Sequence, residues 1–438
     1  MMSKTHGIAI LQTLRDHGFT ALFAGGCVRD IVMGKETEDY DIVTDASPQQ
    51  VMQIFRRTIP VGVQFGIVIV MVKEHKYEVA QFRETTDADD PLREDARHRD
   101  FTINGMFYDP FSDTIIDYVG GQQDIEHRLI RGIEHPQARL EEDKLRMMRA
   151  VRFAASFDYE IESEMFEAMC QFASHISEVS AERIRDELLK ILITPRPARG
   201  IRLLDKVGIL EHILPEVTAM KGVQQPQEFH PEGDVFVHTL LMLHYMGARE
   251  KDLSPELAMA VLLHDVGKPD TFSHTDRIRF PNHAKVGAEI AEQICLRFKC
   301  STKMTEKIVI LVKEHLKFFS VEQMRTSKLK RFLRQEYIDD LLELHLLDCL
   351  SSNRDLRHYE FCQKKLEAFQ QEAMRPPRLI SGKDLIRLGF TPGPLFKEVL
   401  DYIEDAQLEG IVSTRKQALE LVKEIRETLL IEHIEKEE

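Results

Sequence analysis

Two aspartates two residues apart, Asp39 and Asp41 in "TEDYDIVTDA", are followed directly by Ile42 and Val43. If this stretch is a strand, residues i and i+2 share a face and the two carboxylates sit side by side. They repel one another unless a divalent cation lies between them, and such a pair suits phosphoryl or nucleotidyl transfer. Glu78 in "KYEVAQF" is a candidate third carboxylate from a neighbouring strand. Upstream, "FAGGCVRD" sets Gly25 and Gly26 at a strand end before Arg29 and Asp30. This is a turn where backbone can approach a phosphate and a helix can offer free N–H donors. Asp30 is expected to anchor that helix rather than to do chemistry.

A second constellation is, on its residues alone, either a surface ion pair or a reader of bases. In "EEDKLRMMRAVRFA", Asp143 and Arg146 are three apart on an expected helix and so share a face. A carboxylate accepts from the exocyclic amine of cytosine or adenine, and Arg donates to ring nitrogen or carbonyl acceptors, so the pair can select C or A against U and G. Arg149 and Arg152 continue at three-residue steps as a basic stripe suited to a triphosphate or an RNA end.

The third is a series of His and Asp: His238 in "DVFVHTLLMLHYM", His264 and Asp265 in "LLHDVGKPDTF", His283 in "FPNHAKVGAEIA", His315 in "LVKEHLKFF" and Asp348 in "LHLLDCLSSN". These donor types suit a transition metal or Mg²⁺, and adjacent His-Asp at a helix end can address one ion from two directions. His244 and His274 are read as ordinary surface or core histidines.

The elements that must position these groups fall into two kinds. Up to about residue 140, apolar runs that read as strands ("TALFAGG", "YDIVTD", "FGIVIVMV", "KYEVAQF", "TINGMFYD", "DTIIDYVGG") alternate with helical stretches. From Glu141 the strand signal disappears and apolar residues recur at helical spacing. A loop rich in Gly, Gln, Pro and His (Lys221 to Asp234) and a Pro-bearing break, "MRPPRLISGKDL", divide the helical part. The expected fold is α+β: a head with a mixed sheet and helices at 1–140, then an all-α neck at 141–220, body at 221–373 and tail at 374–438.

At 438 residues the chain exceeds one compact core, and 43% hydrophobic with 30% charged residues is ordinary for a globular protein. A net charge of −15 argues against indiscriminate nucleic-acid binding but leaves room for a local basic groove. No apolar run is long enough for a bilayer and the start lacks a secretory layout, so no membrane partner and a cytoplasmic location are expected. The six cysteines are scattered without a CxxC pair and are read as reduced thiols.

Taken in order, "GGCVRD…EDYDI", "RHRDFTINGMFYDP", "DYVGGQQDI" and "EEDKLRMMRAVRFA" resemble successive motifs of the class II CCA-adding tRNA nucleotidyltransferases, a pattern shared with bacterial poly(A) polymerases. The resemblance covers about the first half of the chain. It implies that Asp39 and Asp41 hold Mg²⁺, and that Arg99, Asp100 and Asn104 contact ribose and triphosphate. It also implies that Glu142, Asp143 and Arg146 form the base-reading motif, and that the partners are CTP and a tRNA 3′ end. His98 stands where the motif carries its first Arg. The His and Asp series resembles the HD-domain phosphohydrolases, with an ion held by His238, His264, Asp265, His283, His315 and Asp348. The segment "ETTDADDPLREDARH" is shorter than the loop that A-adding members carry and lacks their Gly-Arg-Arg-Pro element. The expected activity is therefore addition of the two C residues, with complete CCA addition from CTP and ATP as the alternative. Poly(A) polymerase, or a hydrolase with an RNA-binding head, is more distant.

Overall fold

The computed structural model describes residues 3–37, 39–60, 66–82, 90–228, 230–249, 254–370 and 377–434. The chain forms two compact units. The first comprises Met1–Ala219, Met246–Ala258 and Arg297–Cys300, and the second Met220–Tyr245, Met259–Leu296 and Ser301–Glu438.

In the first unit a seven-stranded sheet is built from β1 (Ala21–Ala24), β2 (Asp41–Thr44), β3 (Thr58–Ile59), β4 (Ile67–Val72), β5 (His75–Gln81), β6 (Met106–Asp109) and β7 (Thr114–Asp117). The strand order is β3-β4-β5-β2-β1-β6-β7. The sheet is mixed: β2 and β5 run parallel, and the other pairs are antiparallel. Two registers matter for the site. Ala24 faces Asp41 across β1 and β2, and Ile42 faces Val79 across β2 and β5. The turn after β1 and the residue before Val79, Glu78, are thereby brought to the same end of β2 as Asp41.

Helices cover both faces of the sheet. On α1 (Lys4–Asp16), Gly7, Ile10, Leu11 and Leu14 repeat at helical spacing and are buried. A Cβ on Gly7 would lie 2.8 Å from the Phe23 ring, so the close approach of α1 to β1 requires glycine there. On the opposite face Leu22, Ala24, Val43 and Phe107 pack with Ala96 and Leu92 of α4 (Pro91–Arg97). Between them in sequence lie α2 (Gly26–Val32) and α3 (Pro48–Ile54), the latter started by a Ser47–Gln50 capping box.

After α5 (Gly121–Glu126), the helices α6 (Pro136–Glu142), α7 (Arg146–Phe157), α8 (Ser163–Phe172), α9 (Ala181–Leu192) and α10 (Pro197–Val207) follow. Helix α7 packs on both α9 and α10. Strand structure does not end at Glu141 as the sequence pattern suggests. Leu129–Ile130 pairs in parallel with Glu160–Ile161, and Ser273–His274 makes a hairpin with Ile278–Arg279. Each of these four strands is only two residues long, too short for an alternating pattern to register.

Among its described residues the second unit has otherwise only helices and connecting segments. Its closing segments, Gly382–Arg387, Pro394–Leu408 and Arg415–Ile434, share a core of Ile380, Leu385, Phe390, Val399, Ile403, Ala418 and Val422. No helix among the described residues is long and apolar enough to cross a membrane.

Candidate active site

Asp39, Asp41 and Glu78 line one cleft of about 780 Å³ in the first unit. The strand expected to carry both aspartates begins only at Asp41, and Asp39 lies two residues before it, outside the strand. Glu78, in contrast, is held within β5. Burial, then the neighbouring Asp39 and Glu78 carboxylates, push Asp41 up to about 6, against the pull of Arg99 and Arg29. Burial and Asp39 likewise raise Glu78. Oxygen donors that destabilise one another's charge in an open cleft fit a hard divalent cation such as Mg²⁺.

Gly25 faces this group. Its φ of 74° is in the region that favours glycine, and a Cβ there would stand 3.0 Å from an Arg99 guanidinium nitrogen and 3.6 Å from Asp41 Oδ2. Gly26 opens α2 and also lines the cleft.

A chain of hydrogen bonds connects the turn to helix α7. Arg29 donates to Asp30 at 2.9 Å and to Asn104 Oδ1 at 2.8 Å, with its guanidinium 4.6 Å from the Phe157 ring. Asp30 thus anchors Arg29. Asn104 donates to Asp100 at 3.1 Å, and Asp100 accepts from Arg149 Nε at 2.8 Å. Burial would raise Asp100, but Arg149 and the Asn104 amide outweigh it and hold it below the usual carboxylate range. Arg99 is fixed by two bonds to Asp95 Oδ2, at 3.1 and 3.0 Å. His98 lines the cleft, with Nδ1 on the Glu94 carbonyl at 2.9 Å.

The base-reading residues are arranged differently from the sequence expectation. Asp143 is not on a helix: it has φ −151° and ψ 103° at the break between α6 and α7. Its Oδ1 accepts from the Leu145 N–H at 3.1 Å, so the side chain that would share a helix face instead satisfies an orphan donor at the start of the next helix. Asp143 Oδ2 accepts from Arg183 of α9 at 2.8 Å. Arg146 opens α7 and donates to Glu142 and to the Arg139 carbonyl, both at 2.9 Å. Asp143 and Arg146 still border the same cleft as Asp39 and Asp41.

The basic stripe is also paired. Arg149 meets Asp100, and Arg152 donates to the buried Glu187 of α9 at 2.5 Å while lying 4.2 Å from the Phe153 ring. Six arginines (Arg29, Arg99, Arg146, Arg149, Arg152, Arg183) line the cleft against six carboxylates (Asp39, Asp41, Glu78, Asp95, Asp100, Asp143), so it is far less negative than the chain as a whole. Asp95, Arg183 and Glu187 were missed from the sequence. The one local signal was the i, i+4 spacing of Asp95 to Arg99; the other two act across elements. Of the shortened segment, residues 84–89 lie outside the described residues, and the rest caps and forms α4, with Asp90 accepting from the Leu92 and Arg93 N–H groups.

In the second unit the His and Asp series converges. His238 lies in Val235–Gly247, and His264–Asp265 follows Pro255–Leu263. His283 opens His283–Arg297, His315 follows Thr302–Glu314, and Asp348 lies in Ile338–Ser351. Nδ1 of His264, His283 and His315 each meets a carbonyl three residues earlier, that of Val261, Phe280 and Val312, at 2.9, 2.9 and 2.6 Å. A carbonyl only accepts, so Nδ1 carries the proton and Nε2 presents a bare lone pair. Nε2 of His264 and of His283 is buried without a hydrogen-bond partner, an arrangement that fits metal ligation.

Burial would lower His238, yet Asp348 at 3.2 Å and Glu232 at 2.7 Å raise it to about 9. Burial pushes His315 down to about 3 and lowers His283. His230, Glu232 and Lys268, which the sequence reading passed over, complete the surroundings. Glu232 Oε1 is also 2.9 Å from His230, and Lys268 is 2.6 Å from Asp265. His244 and His274 are exposed and stand outside these donor groups.

Three known domain families match in sequence: the poly A polymerase head domain over residues 21–131, the probable RNA and SrmB-binding site of polymerase A over 158–221, and the HD domain over 235–351. The A-adding tRNA nucleotidyltransferase of Deinococcus radiodurans is 33% identical over 425 residues, covering 92% of this chain and 95% of that protein. The chain belongs to the CCA-adding tRNA nucleotidyltransferase family. It is therefore a nucleotidyltransferase, as the four ordered motifs implied. The CCA-adding enzyme of Bacillus pumilus is 40% identical over 220 residues, 48% of this chain and 55% of that enzyme. A crystal structure of the Bacillus stearothermophilus CCA-adding enzyme in complex with CTP aligns at a TM-score of 0.77 and 26% identity, over 98% of this chain and all of that one. The mixed-sheet head and helical remainder are thus the architecture of the family.

Proposed function

We propose that the head adds CMP from CTP to tRNA 3′ ends, building the two C residues of the CCA terminus in the cytoplasm. The reading rests on one observation: Asp39, Asp41 and Glu78 border the same cleft as Asp143 and Arg146, so a metal-binding group and a base-reading group can engage one nucleoside triphosphate.

Asp39 and Asp41, with Glu78 beside them, are the residues to hold Mg²⁺, which when bound lowers the pKa of an attacking hydroxyl and neutralises charge on the triphosphate. The protein's own groups do the rest by positioning. Asp143 accepts from the cytosine N4 amine while Arg146 donates to N3 and O2. Uracil and guanine present a carbonyl where Asp143 needs a donor. Arg183, on Asp143 Oδ2, must yield that oxygen or share it with the base. The links from Arg29 through Asn104 and Asp100 to Arg149 keep the glycine turn and helix α7 in register around the ribose and phosphates. The 3′-hydroxyl attacks the α-phosphorus, the bond to the bridging oxygen breaks, and pyrophosphate leaves.

Restriction to C rests on the short segment after β5. A second reading, addition of the final A, is favoured by the match along nearly the full length of the Deinococcus A-adding enzyme. Offering tRNA that ends before C-C, and tRNA that ends after C-C, with CTP or ATP separates them. Extension of the first by CTP alone supports C addition. Efficient ATP incorporation on the second points to A addition, and both together to the complete CCA activity.

For the second unit we propose a metal centre of His238, His264, Asp265, His283, His315 and Asp348 that hydrolyses phosphate esters. The unpartnered Nε2 atoms support it. Release of phosphate from an ester substrate, lost in His264→Ala, is its test.

A further inference from the structure

A base-reading side chain that is free to turn excludes nothing. The ring nitrogen that is a bare acceptor in cytosine and adenine carries a hydrogen in uracil and guanine. A guanidinium fixed against that hydrogen rejects the wrong base, and a mobile one swings clear of it. Nucleotide choice therefore depends on what holds Arg146. Three of its five N–H donors are engaged: Nη1 donates to the Arg139 carbonyl and to Glu142 Oε2, each at 2.9 Å, and Nη2 to the His98 carbonyl at 3.5 Å. That leaves Nε and the second hydrogen of Nη2, the side edge of the guanidinium, whose parallel donors match the N3 and O2 acceptors of cytosine.

The Glu142 contact is itself held from behind. Arg139 Nη1 donates to Glu142 Oε1 at 2.7 Å and its Nη2 to Glu134 Oε2 at 3.2 Å, while Glu134 Oε1 stands 3.3 Å from Arg97 of α4. Cations and carboxylates thus alternate along Arg97, Glu134, Arg139, Glu142 and Arg146, and the row crosses the helix break at Asp143. The side chains of Glu134 and Glu142 are 43% and 45% exposed, whereas those of Arg139 and Arg146 are 12% and 11% exposed. Burial would raise Glu142, but Arg146 and Arg139 outweigh it and hold it below the usual carboxylate range. Ion pairs to carboxylates this exposed add little to stability. What they add is direction.

We propose that Arg139 is a positioning residue for nucleotide choice: its side chain grips Glu142, which keeps the reading edge of Arg146 from turning away from a wrong base. Among the described residues neither Arg139 nor Glu142 lines the cleft, so the effect runs through Arg146 rather than through contact with the nucleotide. The inference rests on the base-reading role of Arg146 and adds to it the residue that makes the reading strict. Without the Arg139 side chain, Glu142 loses the cation on its far oxygen and is free to rotate. Arg146 Nη1 is then left with the Arg139 main-chain carbonyl alone, and the guanidinium gains room to retreat from the N3 hydrogen of uracil.

The test measures kcat and KM of the full chain on tRNA ending before C-C, with CTP and with UTP. For a chain that adds A, tRNA ending in C-C with ATP and GTP takes their place. Arg139→Ala is expected to raise kcat/KM for the wrong nucleotide about fivefold or more, while that for the right one falls less than about threefold. Damage to the fold lowers both and cannot raise the wrong one. Arg139→Lys, which keeps a cation for Glu142, should restore most of the discrimination. Glu142→Gln, which turns an amide N–H toward one of the two guanidiniums, should relax it as Arg139→Ala does, and it decides the matter if that variant fails to fold. Arg146→Ala is the control. A relaxed ratio there, beside an unchanged ratio or equal falls in Arg139→Ala, overturns the positioning role and leaves the base-reading role standing. An unchanged ratio in Arg146→Ala overturns both.

Discussion

The head cleft and the histidine cavity are built on opposite principles. In the head, three carboxylates stand at a sheet end in an open cleft, with Asp41 half-buried and Asp39 and Glu78 exposed. In the second unit His238, His264, Asp265, His283 and His315 are all buried; backbone carbonyls fix three of the imidazole rings and the Glu232 carboxylate fixes that of His238. Hard oxygen donors in water suit an ion that arrives with the triphosphate and leaves with pyrophosphate. Fixed nitrogen donors out of water suit an ion that stays. The difference teaches that a ligand series alone does not describe a metal site: what holds the ligands decides how long the ion resides.

The sharpest way to break the comparison is at the head. Asp39→Ala or Asp41→Ala should cost several kcal/mol of transition-state stabilisation, about three orders of magnitude in CMP incorporation, with an unchanged far-UV circular dichroism spectrum. Near-normal single-turnover rates in either variant would remove the metal role. If the two sites are independent, His264→Ala abolishes ester hydrolysis and leaves tRNA extension within about twofold of the parent. A large loss of extension would tie the centres together.

Base selection comes next in size. Asp143→Ala should relax discrimination of CTP against UTP by ~1–3 kcal/mol, or about 10–100-fold in kcat/KM ratios. A uniform drop for both nucleotides would make Asp143 a structural cap only. Glu187→Ala leaves Arg152 without its buried partner and should destabilise the first unit by about 1–3 kcal/mol in urea unfolding.

The smallest effect is on pH dependence. Asp41 titrates near 6 in the metal-free fold, against about 3.9 for an unperturbed Asp. The folded state therefore favours the protonated form. That contribution is complete below about pH 4 and is lost as pH rises through 6. Chelated Asp41→Asn should accordingly gain about 1–3 kcal/mol on the parent between pH 4 and pH 7. A constant difference across that range would mean that neither burial nor the Asp39 and Glu78 carboxylates raise Asp41.

Much of this organisation is legible in the amino-acid order. The apolar runs of β1, β2, β4 and β5 are long enough to show themselves, and the chemistry of Asp39 and Asp41 depends on local spacing. The histidine series is read one member at a time, each at a helix end. Other features depend on what lies across the fold. Asp143 leaves its helix because a cap donor is closer than a face partner. Arg149 and Arg152 read as free charge until Asp100 and Glu187, 49 and 35 residues away, are seen to hold them. Which of these His and Asp side chains stand within reach of one another depends on how the helices carrying them pack, and that is not visible along the chain.

The central claim, that the paired head carboxylates bring a divalent cation to the α-phosphate, is tested most directly with CTP bearing sulfur at a non-bridging α-position. One diastereomer should be incorporated slowly with Mg²⁺, which binds sulfur poorly, and the softer Mn²⁺ or Cd²⁺ should restore its rate. Equal rates for both diastereomers with every ion would contradict the account.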